Sequence, residues 1–360
     1  PAGRASPRAA PASTGSPHMI GVAVIGYGYW GPNLARCFAE TDDCRLVAIA
    51  DSSPASLARA GKRYPHARLL ADWREALADP EIDAIAIATP VRTHYEIARA
   101  ALQAGRHVLV EKPMTENSDQ ARQLIEMAEQ RGLTLLVDHT FVYSSAVQKM
   151  KELIAADDLG QIYYYDSTRI NLGLFQRDVN VIWDLAVHDL AILQHVLDSP
   201  PTAISANGIS HVRGAPENMA QITLYLESGA VAHLNVNWLA PVKVRRVLVA
   251  GTRKMIVWDD LEPSEKIKVY DRGVSLTADP EEIYQMLVSY RIGDMWAPRL
   301  STAEPVLTET THFIACIRDG LTPITGGRLG LQVVEMLEAA TRSMSMRGHP
   351  VELNPQRRAS

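Results

Sequence analysis

The chain has 360 residues and a formal net charge of -5, with 47% hydrophobic and 21% charged residues. This length predicts two domains with a core each, and the composition is typical of a globular protein that binds a small molecule and not nucleic acid. No apolar run is long enough to predict a membrane span. The three cysteines lack Cys-x-x-Cys spacing and predict a reducing, cytoplasmic compartment, with neither a disulfide framework nor a metal site.

The first 18 residues differ in composition from the rest of the chain. They contain four prolines and five alanines and show no hydrophobic periodicity. Such a segment lacks the apolar surface needed for a packed element. Residues 1–18 are therefore predicted to be a flexible leader or a tag remnant, and the fold is expected to start at Met19.

The first predicted strand, 22–25, runs into a glycine-rich turn. Gly26, Gly28 and Gly31 follow it in G-x-G-x-x-G spacing, and an apolar helical pattern begins at Leu34. The first glycine of such a turn permits the tight bend, the second leaves room for a pyrophosphate, and the third lets helix and strand pack closely. The turn therefore predicts a dinucleotide site, bordered by the intervening residues Tyr27, Tyr29 and Trp30.

A second predicted strand, 46–50, ends at Asp51, about twenty residues beyond Gly31. A Rossmann fold places an acidic residue here, where its carboxylate accepts hydrogen bonds from a ribose diol. Asp51 and Ser52 are therefore predicted to bind NAD. The alternative is a strand-end aspartate that only caps the next helix.

Helices and strands continue to alternate up to residue 137. The predicted elements are a helix at 54–64, a helix at 72–78, a strand at 84–88, a helix at 95–104, a strand at 107–110, a helix at 118–130 and a strand at 133–137. This alternation predicts a doubly wound parallel sheet, the Rossmann class, over 19–140. Ligands lie outside the carboxyl ends of such strands, so Thr89, Pro90 and the Glu111-Lys112-Pro113 tripeptide are expected to border the cofactor.

The pattern changes after residue 140. The predicted elements are a helix at 146–156, a strand at 162–170, a helix at 181–197, strands at 203–209, 219–226, 230–239, 245–250, 255–258 and 266–270, and helices at 308–318 and 330–344. We expect an α+β domain over 141–350 with a large, mainly antiparallel open sheet, followed by a tail over 351–360.

Two constellations carry candidate chemistry. Lys112 stands at a strand end, where either it or Glu111 faces the cofactor cleft; the alternative is a surface lysine before a turn proline. Asp184 and His188 are spaced i, i+4 in a predicted helix, so their side chains are expected on one face, where they could share a proton with a substrate hydroxyl. A zinc site would need a third ligand that the nearby sequence does not offer, and a structural His-Asp pair is the other alternative.

With these motifs in place, the chain resembles the Gfo/Idh/MocA family of nicotinamide-dependent oxidoreductases. The resemblance rests on the glycine-rich turn, on Ala88-Thr89-Pro90 with His94, on Glu111-Lys112-Pro113, and on Asp184-x-x-x-His188. It extends from Met19 to about Met346. Val91 departs from the family pattern, which often has Asn at this position.

The resemblance implies an NAD-dependent enzyme in which Lys112 and His188 move the proton of the hydroxyl being oxidised. Either residue could be the immediate base, and Asp184 would orient His188. The substrate would be a sugar or nucleotide sugar oxidised or reduced at a secondary ring hydroxyl, at C3. Its binding residues are expected to include Tyr143, Arg169, Asn171 and Arg177 beside the catalytic residues.

Two other functions remain open from the sequence. Bound NAD could oxidise a substrate transiently to permit elimination, hydrolysis or epimerisation, and such an enzyme would not accumulate free NADH. A non-catalytic NAD-binding regulator is the second alternative, although it would be expected to lack Lys112 and His188.

An assembly is also expected. The predicted strands from Met219 to Ala250 carry apolar residues at both alternating sets of positions. We take Val231, Leu234 and Val236 as one set and Ala232 and Trp238 as the other. A solvated face of an antiparallel sheet alternates cleanly to polar residues. We therefore expect a homodimer or homotetramer formed through this sheet.

Overall fold

The computed structural model describes residues 19–173, 179–275, 289–291 and 293–353. The expected leader at 1–18, Arg177 and residues 354–360 of the expected tail lie outside the described residues. None of the helices within the described part of the chain is both long and apolar enough to cross a membrane.

The first layer is a six-stranded parallel sheet in the order β3-β2-β1-β4-β5-β6, which confirms the predicted doubly wound class. Strands β1, β4 and β6 are wholly buried because helices cover both faces, whereas the edge strand β3 is not. The elements are β1 (Ile20–Ile25), α1 (Gly31–Glu40), β2 (Cys44–Ala50), α2 (Pro54–Arg63), β3 (Arg68–Leu70), α3 (Arg74–Ala78), β4 (Ala84–Ile87), α4 (Val91–Gln103), β5 (His107–Glu111), α5 (Ser118–Arg131) and β6 (Leu135–Asp138).

Local signals set several of these boundaries. The Ser53 side chain accepts a hydrogen bond from Ser56 N at the start of α2, and the Asn117 side chain does the same for Gln120 N at the start of α5. Helix α5 ends at Gly132, whose left-handed backbone closes the last turn. Helix α4 begins directly after Pro90, earlier than predicted, because its first turn is polar and shows no apolar period.

The second layer is a nine-stranded sheet in the order β16-β13-β12-β11-β7-β10-β9-β8-β17. All its pairs are antiparallel except the parallel pair of β7 and β10, so the predicted mainly antiparallel sheet is confirmed. The elements are a 3₁₀ turn (Thr140–Tyr143), α6 (Ser145–Ala155), β7 (Ile162–Leu172), a π-helical turn (Ile182–Ala186), α7 (Val187–Val196), β8 (Pro201–Ile209), β9 (Met219–Leu226), β10 (Val231–Asn237), β11 (Leu239–Gly251), β12 (Met255–Asp259), β13 (Ile267–Tyr270), β14 (Gly273–Ser275), β15 (Ser289–Arg291), β16 (Met295–Trp296), α8 (Pro305–Asp319), α9 (Gly327–Ser345) and β17 (Val351–Glu352).

Three expectations are corrected here. The predicted helix at 181–197 begins as a π-helical turn, in which the wider winding changes the relation between Asp184 and His188. Residues 351–352, predicted as tail, pair with β8 as the edge strand β17. Two residues carry too little periodicity to predict a strand, and tertiary pairing decides their structure.

The third correction concerns the sheet faces. Ala232, Leu234, Val236 and Trp238 have the same parity and all point into the core, so only Val231 of the residues quoted above lies on the other face. Assigning Leu234 and Ala232 to different sets was therefore wrong. The outer face nevertheless keeps an apolar row that crosses four strands. Val231 of β10 is the register partner of Tyr225 in β9 and of Tyr164 in β7, and Tyr164 is the register partner of Ala250 in β11.

The last helices join the two layers. Phe313 and Ile314 of α8 belong to the same buried cluster as Phe38 of α1, with the two phenylalanine rings 6.2 Å apart edge to face. Helix α8 thus lies on the first layer, although the sequence analysis places it in the second domain. Helix α9 packs against α5, α7 and β8 and therefore contacts both layers.

Candidate functional site

A cleft of about 440 Å³ lies outside the carboxyl ends of β1, β2 and β4. It brings together six of the predicted cofactor residues, which come from three separate strand ends: Gly26, Gly28, Asp51, Ser52, Thr89 and Pro90. This is the position at which doubly wound sheets bind dinucleotides.

The glycine-rich turn has the form that a dinucleotide requires. Gly26 has φ +93 and lies against Ala88, and a Cβ on Gly31 would be 1.9 Å from Gly26 O. At Gly28, by contrast, a Cβ would have no atom within 4 Å, so its missing side chain leaves open space above the turn. Gly26 and Gly31 serve the backbone path, whereas Gly28 leaves a cradle that fits a diphosphate at the start of α1.

Asp51 closes the adenosine end of the cleft. Its Oδ2 accepts a hydrogen bond from Tyr27 N at 2.6 Å, and its Oδ1 accepts one from Ser53 N at 2.7 Å. These backbone amides fix the carboxylate while leaving lone pairs for a ribose diol. Tyr27 itself is buried, and Tyr29 is 93% exposed at the tip of the turn.

His94 lies beneath the cleft and not in it. The buried ring is 3.0 Å from Pro113 O through Nδ1 and 2.7 Å from Thr89 O through Nε2. Burial lowers the pKa of His94, against the effect of the two carbonyl groups, which raise it. His94 therefore holds together the two strand-end segments that border the cofactor.

Lys112 and Asp184 meet where the two layers join. Lys112 Nζ donates a hydrogen bond to Asp184 O at 3.1 Å and lies 3.6 Å from Asp184 Oδ1. The Asp184 Oδ2 accepts a hydrogen bond from Trp238 Nε1 at 2.9 Å. Asp184 thus holds the ammonium group of Lys112 and is itself held by Trp238.

His188 is placed beside this pair without bonding to it. Its ring packs edge to face on Phe141 at 4.9 Å, and its Nδ1 is buried without a hydrogen-bond partner. Desolvation, followed by the nearby charge of Lys112, lowers the pKa of His188 well below its ordinary value. Among the described residues, Asp184 and His188 form no hydrogen bond, and the polar contacts of the Asp184 side chain are with Lys112 and Trp238.

The candidate substrate residues fall into different environments. Arg169 is buried and bonds to Asp189 through Nε at 2.7 Å and Nη2 at 3.1 Å, with its guanidinium 4.4 Å from the Phe141 ring centre. The Tyr143 hydroxyl is buried 2.9 Å from Thr325 Oγ1, and Asn171 is half-buried near the end of β7. The polar groups of Arg169 and Tyr143 are therefore bonded within the protein.

Three groups near the site were missed by sequence reasoning. Trp238 contacts Asp184, and Phe141 contacts His188. The guanidinium carbon of Arg245, which is paired with Asp260, lies 4.7 Å from the centre of the Phe141 ring. Their positions depend on which strands are neighbours in the sheet, and the spacing of residues along the sequence does not indicate strand order. Within the described ranges, no group of three His, Cys, Asp or Glu side chains is arranged to hold a metal ion.

Comparisons with known proteins agree with this geometry. Residues 20–139 match the family model described as the Gfo/Idh/MocA oxidoreductase family, NAD-binding Rossmann fold, and residues 147–257 match the Gfo/Idh/MocA C-terminal domain.

Among curated relatives, the UDP-N-acetylglucosamine 3-dehydrogenase of Acidithiobacillus ferrooxidans is 30% identical over 259 residues, covering 69% of this chain and 76% of the relative. A solved structure of that enzyme has a TM-score of 0.76 at 26% identity, covering 91% of this chain and 97% of that chain. The NAD⁺-dependent scyllo-inositol 2-dehydrogenase of Bacillus subtilis is 24% identical over 354 residues, covering 94% and 98%. The WlbA dehydrogenase of Bordetella pertussis, solved with NADH and UDP-GlcNAcA, has the same fold, with a TM-score of 0.79 at 21% identity, covering 93% and 98%.

The two turn glycines predict opposite outcomes for one substitution. Gly31→Ala places a Cβ against Gly26 O and should lower the free energy of unfolding by about 1–3 kcal/mol, as overpacking does. Gly28→Ala should change that free energy by less than about 0.5 kcal/mol, because its Cβ meets nothing in the protein. It should nevertheless weaken NAD⁺ binding by about tenfold or more, ~1.4 kcal/mol, by occupying the diphosphate cradle.

Denaturant unfolding and calorimetric NAD⁺ titration of both variants measure the two effects. Normal NAD⁺ affinity in a folded Gly28→Ala variant would contradict the cradle.

Proposed function

The chain belongs to the Gfo/Idh/MocA family of NAD-binding oxidoreductases, and we propose that it transfers a hydride between nicotinamide and the C3 hydroxyl carbon of a sugar or nucleotide sugar. The observation that carries the proposal is the meeting of Lys112, Asp184 and His188 after β5, the strand next to β4, whose carboxyl end borders the cleft. The relatives named above act on a nucleotide sugar at C3 and on an inositol, both of which offer secondary ring hydroxyls.

The residues of the first layer divide the binding of NAD. The amides at the start of α1 and the space over Gly28 would hold the diphosphate, and Asp51 would accept hydrogen bonds from the adenosine ribose. Thr89 and Pro90 border the middle of the cleft. The nicotinamide, when bound, supplies the hydride acceptor or donor.

Lys112 and His188 have different roles in this proposal. Its lowered pKa keeps His188 neutral at pH 7, so a ring nitrogen can accept the hydroxyl proton as the C–O group becomes a carbonyl. The ammonium group of Lys112, held by Asp184, donates a hydrogen bond to the same substrate oxygen. Asp184 is then a positioning residue for Lys112.

The location and substrate scope follow from the same proposal. The cysteines Cys37, Cys44 and Cys316 are unpaired, which supports a cytoplasmic location. A screen of sugars, inositols and nucleotide sugars with NAD⁺, monitored at 340 nm, tests the substrate class. Conversion of a substrate without accumulation of NADH would favour transient oxidation over net dehydrogenation.

The catalytic roles predict which substitutions are coupled. Lys112→Ala and His188→Ala should each lower kcat by about 10²-fold or more while NAD⁺ affinity stays within a few fold, which is typical of lost proton transfer. Asp184→Asn should lower kcat less. Because Asp184 contacts Lys112 and not His188, Asp184→Asn should add little to Lys112→Ala but should add its full effect to His188→Ala.

Steady-state kinetics of the single and double variants, with a substrate that the wild type accepts, measure this coupling. Near-normal turnover in both alanine variants would reject the assignment, and coupling of Asp184 to His188 in place of Lys112 would reverse the positioning role.

Cofactor preference is predicted by Asp51. Its carboxylate favours a ribose 2′-hydroxyl and repels a 2′-phosphate, so NADP⁺ should bind at least about tenfold more weakly than NAD⁺. Asp51→Asn keeps an oxygen for Tyr27 N but removes the charge, and it should narrow the difference. Calorimetric titration at moderate salt measures both affinities. Equal binding of the two cofactors by the wild type would count against the role of Asp51.

The outer row of the large sheet predicts the assembly. Tyr225, Val231 and Tyr164 form an apolar row across β9, β10 and β7, and Tyr225 is 43% exposed. We expect a homodimer or homotetramer at micromolar concentration that Val231→Glu dissociates, since a charge would be buried in the contact. Light scattering measures the mass, and Leu321→Glu, at an exposed apolar position on another surface, is the matched control. A monomeric wild type would refute the assembly.

A further inference from the structure

Three carboxyl groups meet at the carboxyl ends of β5 and β6, and we call them the carboxyl cluster: Glu111, Asp138 and Glu309. Glu111 and Asp138 are register partners at the ends of β5 and β6. Glu309 comes from α8, which packs onto the first layer from the second half of the chain. The cluster is therefore a junction of three elements and is not a feature of one strand end.

The three carboxyl groups of the cluster differ in the number of hydrogen bonds that they accept. Asp138 Oδ2 accepts a hydrogen bond from Trp30 Nε1 at 2.6 Å, and its Oδ1 accepts hydrogen bonds from Thr140 N at 3.3 Å and from Thr140 Oγ1. Glu111 Oε2 accepts one from Lys112 N at 2.9 Å. Glu309 is 0% exposed, and neither of its carboxyl oxygens has a hydrogen-bond partner among the described residues.

This arrangement requires the cluster to hold protons. Buried carboxylates beside one another cannot all ionise, because each negative charge is desolvated and repelled by the next. Burial and then Asp138 raise the pKa of both Glu111 and Glu309 well above the ordinary value. Asp138 accepts three hydrogen bonds, whereas Glu111 accepts one.

The cluster also touches both cofactor segments. Trp30 belongs to the glycine-rich turn, and Lys112 belongs to the segment that follows β5. A positive charge at the nicotinamide end would therefore lie near protonated carboxyl groups in a region from which water is largely excluded. Charges interact strongly in such a region.

We propose that the carboxyl cluster distinguishes the redox states of the cofactor: binding of NAD⁺ expels a proton from the cluster, whereas binding of NADH does not. One carboxyl O–H bond breaks, its electron pair stays on the carboxylate, and the proton passes to the buffer. The oxidised nicotinamide ring carries a positive charge and the reduced ring carries none, while the rest of the two cofactors is the same. The inference rests on the proposed placement of the nicotinamide beside Lys112.

The other titratable groups around the cluster do not replace it. Lys112 is the nearest cation, Cys37 and Tyr143 face the cluster from α1 and the 3₁₀ turn, and His139 follows β6. Burial lowers the pKa of His139 to about 4 and raises the pKa of Cys37 to about 12, so both are neutral at pH 7. Tyr143 is also neutral, because burial raises its pKa. Substitution of the cluster carboxyl groups, with these neighbours unchanged, separates the cluster from them.

Calorimetric titration of the full chain with NAD⁺ and with NADH at pH 7, in phosphate and in Tris, counts the protons exchanged. We expect release of ~0.5 proton per site with NAD⁺ and near zero with NADH, so NAD⁺ affinity alone should rise with pH. Glu111→Gln, Asp138→Asn and Glu309→Gln each keep the shape of the side chain and remove one carboxyl group of the cluster. At least one of these variants should lose most of the difference, whereas Glu126→Gln, at an exposed position on α5, should keep it.

Circular dichroism and NADH affinity within a few fold of the wild type establish that the variants are folded. Equal proton release with the two cofactors in the wild type overturns the inference alone. A difference that persists in all three variants places the proton outside the carboxyl cluster and also overturns the inference. Absence of binding by either cofactor overturns both the inference and the proposed cofactor site.

Discussion

The contact between Lys112 and Asp184 is the constraint on which the rest of the site depends. Lys112 follows a strand of the parallel sheet, and Asp184 lies in the π-helical turn beyond the second sheet's first strand, so their 3.6 Å approach requires both layers to be in place. Trp238 fixes the other carboxylate oxygen from the end of β10. A half-exposed ion pair of this kind adds little stability by itself, because solvent screens it. Its importance is geometric: it fixes one ammonium group where the cofactor cleft and the second sheet meet.

Charge compensation explains which cations remain available in the site. Arg169 is buried, and a buried guanidinium is tolerated only with a partner, which Asp189 supplies through two hydrogen bonds. Arg245 is likewise engaged by Asp260. These two guanidinium groups pack on Phe141, whose ring also meets His188. The positive surroundings help to keep His188 neutral, which is the protonation state that its proposed role as a base requires.

The sequence predicts the parallel sheet well because its signals are local. Each buried strand is a short apolar run, each helix has a hydrophobic period or a cap, and the glycine-rich turn marks the cofactor end of the sheet.

Sequence patterns do not predict structure that depends on contacts between elements distant in the chain. Nothing in the spacing of Asp184 and His188 announces a π-helical turn, and two residues at 351–352 become a strand only because β8 offers an edge. The sequence predicts Arg169 and Tyr143 as substrate residues, and the structure shows their polar groups bonded to Asp189 and Thr325. Trp238 and Glu309 could not be connected to the site from sequence at all, since each reaches it across a contact between layers.

Glu309 shows why an apparently unfavourable residue can be informative. A buried polar group without a hydrogen bond costs about 1–3 kcal/mol, and an apolar side chain of similar size at this position would remove that cost. Glu309 lies on α8, which packs against the first layer from the second half of the chain. It faces Asp138, which contacts the glycine-rich turn, and Glu111, which contacts Lys112. Strain in a packed protein tends to persist where the surroundings fix it and where the site uses it. Burial and the neighbouring Asp138 raise the pKa of Glu309 and so favour its neutral form, and in the proposal above the cluster becomes more negative when a positive charge arrives. A leucine would stabilise the junction equally in both situations, whereas a carboxyl group makes its stability depend on what occupies the cleft.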